Sequence, residues 1–346
     1  MPLEPLDRLG RPLRDLRLSV IDQCNFRCTY CMPREVFGAD YPFLPSSARL
    51  SIDQMVKLAE AFVALGVEKI RITGGEPLLR RDLESLIERL ARLRSANGQA
   101  LDIALTTNGS LLAAKARSLK DAGLQRVTIS LDALDQTLFQ RMSGTQASVE
   151  QVLHGIEQAQ AVGFENLKIN TVIERGVNDS QILPLVSHFK GTGCTVRFIE
   201  YMDVGGASAW SDARVVSADE TRAIVETRFP LVAIPGARHS DTAVNYRHAD
   251  GSGQVGFIAS ISQPFCGSCT RARMSSDGRL YTCLFATQGV DLKPLLDRAA
   301  PVHELAAAIG THWLDRDDRY SEQRATAWPA TRDRPYPTVR MSLVGG

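Results

Sequence analysis

The chain has 346 residues, 44% of them apolar, with 40 Lys plus Arg against 39 Asp plus Glu. That length accommodates one large domain or two modest ones, and the near-neutral balance argues against a broad nucleic-acid-binding or membrane-binding surface while leaving room for a small cationic pocket. No apolar run approaches the roughly 20 residues needed to span a bilayer, and residues 1–15 are mixed polar without the apolar core of a secretory signal. There are seven cysteines, an odd number, and six fall in two tight groups of three. A secreted disulfide framework would scatter pairs instead, so a reducing cytoplasm is the expected compartment.

Residues 16–21 alternate and read as a first strand. Arg17 inside it is either an edge charge or an anion contact at the mouth of a site. Directly afterwards comes Cys24-Asn25-Phe26-Arg27-Cys28-Thr29-Tyr30-Cys31, three thiols within eight residues. Ser51-Ile52-Asp53-Gln54 opens a helix to residue 65, apolar at Ile52, Met55, Val56, Ala59, Phe62 and Val63, with Gly66 as its stop. Residues 69–73 form a strand ending in Gly74-Gly75-Glu76-Pro77, 82–93 an amphipathic helix, and 101–105 a strand ending in Thr106-Thr107-Asn108-Gly109. A helix over 112–122, a strand over 126–131, a helix over 149–161, a strand over 167–173, a helix over 182–189 and a strand over 195–201 continue the alternation. Such an order means a parallel sheet with right-handed crossovers. Six units are most of a (β/α)₈ barrel of roughly 250 residues. The expected fold class is therefore α/β, a partial (β/α)₆ TIM-type barrel. It is preferred to a doubly wound sheet because polar signatures close strand after strand at the C-terminal end, where barrel sites lie.

After residue 201 the rhythm breaks. Residues 203–214 read as a loop, 218–228 as a helix, 230–235 as a short extended piece, 239–256 as a hairpin-like stretch and 256–262 as a strand leading into the second cysteine group. Residues 292–296 and 302–313 read as helices, and 315–338 as an extended or mobile tail. The expected division is a barrel over 1–215 and a C-terminal region over 216–346 that carries the second metal site and binds substrate.

Three thiolates on one short loop can hold three corners of an iron–sulfur cube and leave the fourth iron without a protein ligand. An open coordination position usually means chemistry rather than scaffolding. A structural zinc knuckle is the alternative, but such a site usually closes with a fourth nearby Cys or His, and no His lies in the loop. The second group is Cys266-Gly267-Ser268-Cys269, then Cys283 beyond the turn-like Ser276-Asp277-Gly278-Arg279. It suits either structural zinc or a second cluster with an open iron. His239 and His248, the nearest preceding histidines, read as satisfied or exposed side chains. Arg271 and Arg273 are two apart and share a face if extended. Lys69 and Arg71 repeat that pattern, and Arg17 and Lys168 add cations near strand ends. Guanidinium forks bind phosphate oxygens bidentately, so cations concentrated by the barrel mouth of a neutral protein point to a polyphosphate ligand. Cys194 belongs to neither trio and reads as a buried or incidental thiol.

The spacing of the first trio resembles that of the radical S-adenosylmethionine (SAM) superfamily, and Gly74-Gly75-Glu76-Pro77 at a strand end resembles its SAM-binding loop. By that resemblance Cys24, Cys28 and Cys31 hold a [4Fe–4S] cluster whose open iron is chelated by the methionyl amino and carboxylate groups of SAM. Gly75 and Ser130 then contact SAM, with Tyr30 and Met202 around its adenine. From residue 16 to the end the chain further resembles the GTP 3′,8-cyclase family of molybdenum cofactor biosynthesis. The markers are Arg17-Leu18-Ser19-Val20, the first trio, Arg71-Ile72-Thr73-Gly74-Gly75-Glu76-Pro77, Thr106-Thr107-Asn108-Gly109, Phe198-Ile199-Glu200-Tyr201-Met202, the second trio, and Gly345-Gly346. The resemblance implies a lyase that converts GTP to (8S)-3′,8-cyclo-7,8-dihydroguanosine 5′-triphosphate, with two [4Fe–4S] clusters and SAM as cofactors. It implies that Cys266, Cys269 and Cys283 hold a second cluster that binds the guanine of GTP. Arg17, Arg71, Thr106, Lys168, Arg271, Ala272 and Arg273 would contact the nucleotide. Arg17, Arg271, Arg273 and the tail glycines Gly345 and Gly346 would matter for catalysis. The implied partners are a flavodoxin- or ferredoxin-like reductant, a downstream cyclic pyranopterin monophosphate synthase and a second copy in a homodimer; neither nucleic acid nor membrane is implied. Read from its residues alone, the tail is a frayed terminus. Thr270, where the family more often has Asn, and Met274, in place of Leu, depart from the pattern. Two other readings stand beside this one: a radical SAM enzyme that modifies a peptide, and a binding module with two structural zincs.

Overall fold

The computed structural model describes residues 4–204, 210–236, 241–327 and 339–345. The alternating part comprises β1 (Asp15–Ser19), α1 (Ile52–Ala64), β2 (Lys69–Thr73), α2 (Leu83–Arg92), β3 (Asp102–Thr107), α3 (Leu112–Asp121), β4 (Arg126–Ser130), α4 (Gln136–Ser143), α5 (Val149–Ala161), β5 (Lys168–Ile173), α6 (Ile182–Phe189) and β6 (Thr195–Glu200). Then follow α7 (Ala218–Glu226), β7 (Leu231–Ala233), β8 (Val244–His248), β9 (Gln254–Ile258), β10 (Arg271–Met274), β11 (Arg279–Tyr281), β12 (Val290–Asp291), α8 (Lys293–Asp297), α9 (Val302–Leu314), α10 (Tyr320–Ala327) and α11 (Met341–Val344).

Local sequence accounts for most of these boundaries. Ser51 caps α1 by accepting from the Gln54 N–H at 3.2 Å, while the Gln54 side chain accepts from the Ser51 N–H at 3.0 Å. Helix α4, which the periodicity does not reveal, is too short to show a stripe. It is set by its ends: Asp135 accepts from the Leu138 N–H at 2.8 Å, and Gly144 stops it at φ +58°. That stop has a consequence for the cysteine loop. The N–H groups of Arg27 and Thr29 donate to the carbonyls of Ser143 and Met142 at 2.8 and 3.0 Å, so the end of α4 backs the segment that carries Cys28.

The strands make one twelve-stranded sheet in the order β12-β11-β10-β1-β2-β3-β4-β5-β6-β9-β8-β7. The six expected parallel strands are present, and two more join them. β10 runs parallel beside β1, and β9 runs parallel beside β6. Both come from beyond residue 215, so the C-terminal region extends the barrel sheet at each edge. β9 and β10 are not neighbours, and the parallel arc stays open. The alternation along each strand sends Leu16, Leu18, Ile70, Ile72, Ile103 and Leu105 into a helix-facing core that is essentially closed to solvent, leaving the intervening residues for the inside of the arc.

The tail departs from expectation. Residues Tyr320–Ala327 are helical, with Tyr320 stacked on Phe285 at 4.3 Å between centroids and its hydroxyl donating to Asp203 at 2.8 Å. Residues 328–338 lie outside the described residues, as does His239 of the hairpin-like stretch. Among the described residues no helix is long and apolar enough to cross a membrane.

Candidate active site

The inside of the arc encloses a cavity of about 410 Å³. All six cysteines of the two trios line it, as do Arg17, Tyr30, Arg71, Gly75, Thr106, Ser130, Lys168, Met202, Arg271 and Arg273. Residues spread over more than 250 positions of sequence therefore share one chamber. The Ala272 side chain lies on the opposite face of β10, fully buried in the core, so any contact it makes with a ligand is through its main chain. Gly346 lies outside the described residues.

The cysteine loop and the glycine loop are joined by main-chain hydrogen bonds. Gly75 N–H donates to the Ile21 carbonyl at 2.7 Å and Glu76 N–H to the Gln23 carbonyl at 2.8 Å. A Cβ at Gly74 would lie 2.3 Å from the Ile21 carbonyl oxygen, and one at Gly75 2.2 Å from that of Gln23. The glycines are thus required by the approach of the chain to itself, immediately before Cys24. Glu76 then caps the next loop: its carboxylate accepts from the Thr107 hydroxyl and the Asn108 N–H, both at 2.7 Å, and burial pushes it up to about 7.

Burial, together with neighbouring Glu76, pushes the Cys24 thiol up to about 12, and burial with Cys24 does the same for Cys31. Cys28 is raised well above the usual thiol range by burial and then by Cys31. Three half-buried thiols that oppose one another's ionisation become thiolates only when positive charge sits among them, as the irons of a cluster would. N–H donors already face the sulfurs: Phe26 N–H at 3.3 Å and Asn108 Nδ2 at 3.8 Å from Cys24, Arg271 Nη2 at 3.3 Å from Cys269, and Phe285 N–H at 3.5 Å from Cys283. Among the described residues no group of three or more His, Cys, Asp or Glu side chains is gathered closely enough to hold a single metal ion. In the second trio Cys283 is pushed up to about 11 by burial and Asp318. Burial also works against Cys269, but the Arg271 and Arg316 guanidiniums bring it down to about 6.

A belt of cations covers the wall. β10 contributes Arg271 and Arg273, in register with Asp15 and Arg17 of β1, which pair in turn with Lys69 and Arg71 of β2. Arg126, Lys168 and Arg197 continue it on β4, β5 and β6. Burial and then Arg273, Arg71 and Arg271 hold the Arg17 guanidinium well below its usual range. Burial with like-charged neighbours lowers Lys69 and Lys168 to about 8 each. Local counterions are few: Asp15 stands 3.7 Å from Lys69, Asp102 pairs with Arg126, and Asp241 acts on Arg197, which also donates to the neutral Asn170 Oδ1 at 2.8 Å. Arg71 instead donates to the hydroxyls of Thr106 and Thr128 at 3.0 and 3.1 Å. Arg126 and Arg197 were missed in the sequence, although Arg197 between Val196 and Phe198 has the same period-two signature as Arg17.

Tyr30 packs with Met202, Cys31 and Phe285 in a satellite apolar cluster, and its hydroxyl donates to Asp132 at 2.8 Å. Glu200, at the end of β6, accepts from the N–H groups of Ala218, Ile261 and Ser262 at 2.6–2.8 Å, fixing the entry to the second cysteine segment. The departure Thr270 donates to Asp15 at 2.6 Å and so buttresses β1. The tail docks rather than fraying: α11 lies against β1, and Arg273 donates to the Gly345 carbonyl. Cys194 is buried, 3.5 Å from Gln160 Nε2 and away from both trios.

Residues 18–189 match the model of the Radical SAM superfamily, and residues 194–322 match Molybdenum Cofactor Synthesis C. The chain is 53% identical over 340 residues to the GTP 3′,8-cyclase of Xanthomonas axonopodis pv. citri, and 46% identical over 341 residues to that of Staphylococcus saprophyticus, covering 98% of both chains in each case. Among solved structures, Streptococcus suis SuiB bound to S-adenosylmethionine has a TM-score of 0.58 at 14% identity, over 94% of this chain and 77% of that one. The anSMEcpe structure with bound AdoMet has a TM-score of 0.52 at 16% identity, over 79% of this chain and 75% of that one. These two share the fold alone. Identity of 46–53% over 98% of the chain means that the chain belongs to the GTP 3′,8-cyclase family of the radical SAM superfamily.

Proposed function

We propose that this protein converts GTP to (8S)-3′,8-cyclo-7,8-dihydroguanosine 5′-triphosphate, the first step of molybdenum cofactor biosynthesis. The observation that carries the reading is the single cavity lined by two cysteine trios and by the belt from Arg273 through Arg17 to Arg197. A peptide-modifying enzyme has no use for so many cations with so few counterions, whereas a triphosphate neutralises them.

Membership of the superfamily brings SAM and an iron–sulfur cluster, for which Cys24, Cys28 and Cys31 are the ligands. Cys266, Cys269 and Cys283 would hold a second iron–sulfur cluster, which would bind the guanine of GTP. When bound, the first cluster and SAM would supply the radical chemistry that takes hydrogen from C3′ of GTP so that this carbon can close on C8, the electron donor supplying the electrons and solvent the proton that balance the closed ring. The chain's own part is placement and shielding. Gly75 and Ser130 contact SAM, and Tyr30 and Met202 enclose its adenine. Arg17, Arg71, Lys168, Arg271 and Arg273 hold the phosphates and ribose, with Thr106 and the Ala272 main chain beside them. Fixing both molecules in one chamber substitutes for a bimolecular encounter, and the tail docked as far as Gly345 closes water out, with Gly346 as a further residue that matters for catalysis. A flavodoxin- or ferredoxin-like protein is the electron donor and a cyclic pyranopterin monophosphate synthase takes the product. The cytoplasm is the compartment, and the homodimer is the assembly.

The test is anaerobic incubation with SAM, reductant and GTP. Methionine, 5′-deoxyadenosine and an isomer of GTP with altered fragmentation should form together; 5′-deoxyadenosine with unaltered GTP would overturn the substrate. Cys24→Ala should abolish SAM cleavage, and Cys266→Ala should spare some cleavage but lose cyclisation. Zinc without acid-labile sulfide in anaerobically purified protein would remove the radical chemistry altogether.

A further inference from the structure

Behind the second cysteine trio lies a closed ion triad that the reaction described above leaves unused. The side chains of Asp7, Arg11 and Arg316 are each 2% exposed or less. Asp7 Oδ2 accepts from Arg11 Nε at 2.6 Å and from Arg316 Nη1 at 3.0 Å. Arg11 Nη1 also donates to the Cys266 carbonyl at 2.7 Å, and Arg316 Nη1 to the Cys269 carbonyl at 2.7 Å. Each guanidinium therefore grips the main chain of one cysteine of the Cys266–Cys269 loop. Trp313 fixes the arrangement from below, with its ring 4.5 Å from the Arg316 guanidinium and its N–H donating to the Arg11 carbonyl at 3.0 Å.

The triad sets two guanidiniums against one carboxylate at the loop, and Glu322 brings a further carboxylate, accepting from the Gly267 N–H at 2.9 Å. Buried charge is costly unless opposite charge faces it. Asp318 faces Arg316 Nε at 3.4 Å, and Arg271 adds a further cation at the Cys269 sulfur. The thiolates of Cys266 and Cys269 sit on the same loop whose carbonyls the two guanidiniums hold. Reduction of a cluster adds one more electron there, and a fixed cation favours that form.

We propose that Arg316, locked by Asp7, is a positioning residue that raises the reduction potential of the group held by Cys266, Cys269 and Cys283. The proposal rests on those three cysteines holding an iron–sulfur cluster. The test uses full-length protein with Cys24, Cys28 and Cys31 changed to Ala, so that only the second trio can load, and follows the reduced cluster by electron paramagnetic resonance during a redox titration. Arg316→Gln should lower the reduced-to-oxidised ratio at fixed potential by about tenfold, equivalent to about 59 mV for one electron. Arg316→Lys should recover part of that loss. Asp7→Asn, which leaves Arg316 in place and removes the negative charge, should move the potential the opposite way. Iron content should match the parent throughout. A parent-like potential in iron-loaded Arg316→Gln, or shifts of the same sign in Arg316→Gln and Asp7→Asn, overturns the proposal. So does loss of iron from both with the fold retained by circular dichroism, which would make the triad a brace of the loop alone. If the parent with a single trio binds no iron and sulfide, it is the cluster assignment that fails.

Discussion

Arg17 and Arg273 lie in register on the adjacent parallel strands β1 and β10, two guanidiniums side by side on the cavity wall. Burial and then Arg273 hold Arg17 well below its usual range, while burial and Arg271 bring Arg273 down to about 10. In folding terms this is an unfavourable pair; it makes sense only for a ligand that brings negative charge. Replacing Arg17 by Met should therefore leave the ligand-free melting temperature unchanged or raise it. The same change should weaken GTP binding at least about tenfold, or about 1.4 kcal/mol, without altering SAM binding. Thermal scans and titration calorimetry check this, and parallel loss of stability and of both ligands would show misfolding instead.

The lysines of the same belt give the site a pH dependence. Burial and like charges bring Lys69 and Lys168 down to about 8, from an ordinary value near 10.5. Above about pH 8 the ligand-free protein holds them increasingly neutral, while a bound triphosphate favours the ammonium form. GTP affinity should fall as pH rises through 8, with proton uptake on binding near that pH. Calorimetry in buffers of different ionisation enthalpy measures the uptake. The stability sign is the reverse. Between about 8 and 10.5 the unfolded chain binds more protons than the folded one, so these two residues add stability as pH rises through that window.

Much of this site was legible because its signals are local. The two trios, the strand-end glycines and the paired arginines each announce themselves within a few residues. The period-two alternation of β1 and β2 separates Leu16, Leu18, Ile70 and Ile72 from Arg17, Lys69 and Arg71 without knowledge of the fold. What was not legible depends on pairing between distant segments. β10 is a four-residue strand, and nothing in Arg271–Met274 says that it lies beside β1, so six parallel strands were expected where there are eight. The same limit hid the docking of the tail on Arg273 and the bracing of the second cysteine loop by residues 7–11. The glycine loop's signature has a second physical cause: its glycines admit the neighbouring main chain of residues 21–23, whatever else they admit.

That close approach makes a sharp prediction for Gly75→Ala. The new Cβ would meet carbonyl oxygens of Gln23 and Asp22 at 2.2 and 2.8 Å, and main chain cannot rotate away as a side chain can. The segment entering Cys24 must shift. The first trio should lose its cluster while the second keeps one, so iron should fall from about eight to about four per chain. 5′-Deoxyadenosine formation should disappear, and GTP binding should persist. Full iron with normal SAM cleavage would mean that the loop has slack which the close packing does not suggest.

The tail can be tested by the same steric logic, with a built-in rescue. Gly345 holds φ +72°, and a Cβ there would sit 2.0 Å from Thr73 Cγ2 and 2.8 Å from its hydroxyl. Gly345→Ala should push α11 off β1 and break the contact between Arg273 and the Gly345 carbonyl. Positive φ adds about 1 kcal/mol of strain for a residue with a Cβ. Because α11 is a single short turn at the chain end, the global melting temperature should hardly move. Limited proteolysis after residue 340 should accelerate, and cyclisation should fall at least about tenfold (about 1.4 kcal/mol) while SAM cleavage continues uncoupled from GTP. Thr73→Ala in the same chain removes the two nearest side-chain atoms and should restore part of the lost cyclisation, leaving the Thr73 Cβ at 2.9 Å and the φ strain. If Gly345→Ala cyclises GTP normally, the docked tail is a packing detail, and Arg273 acts without it.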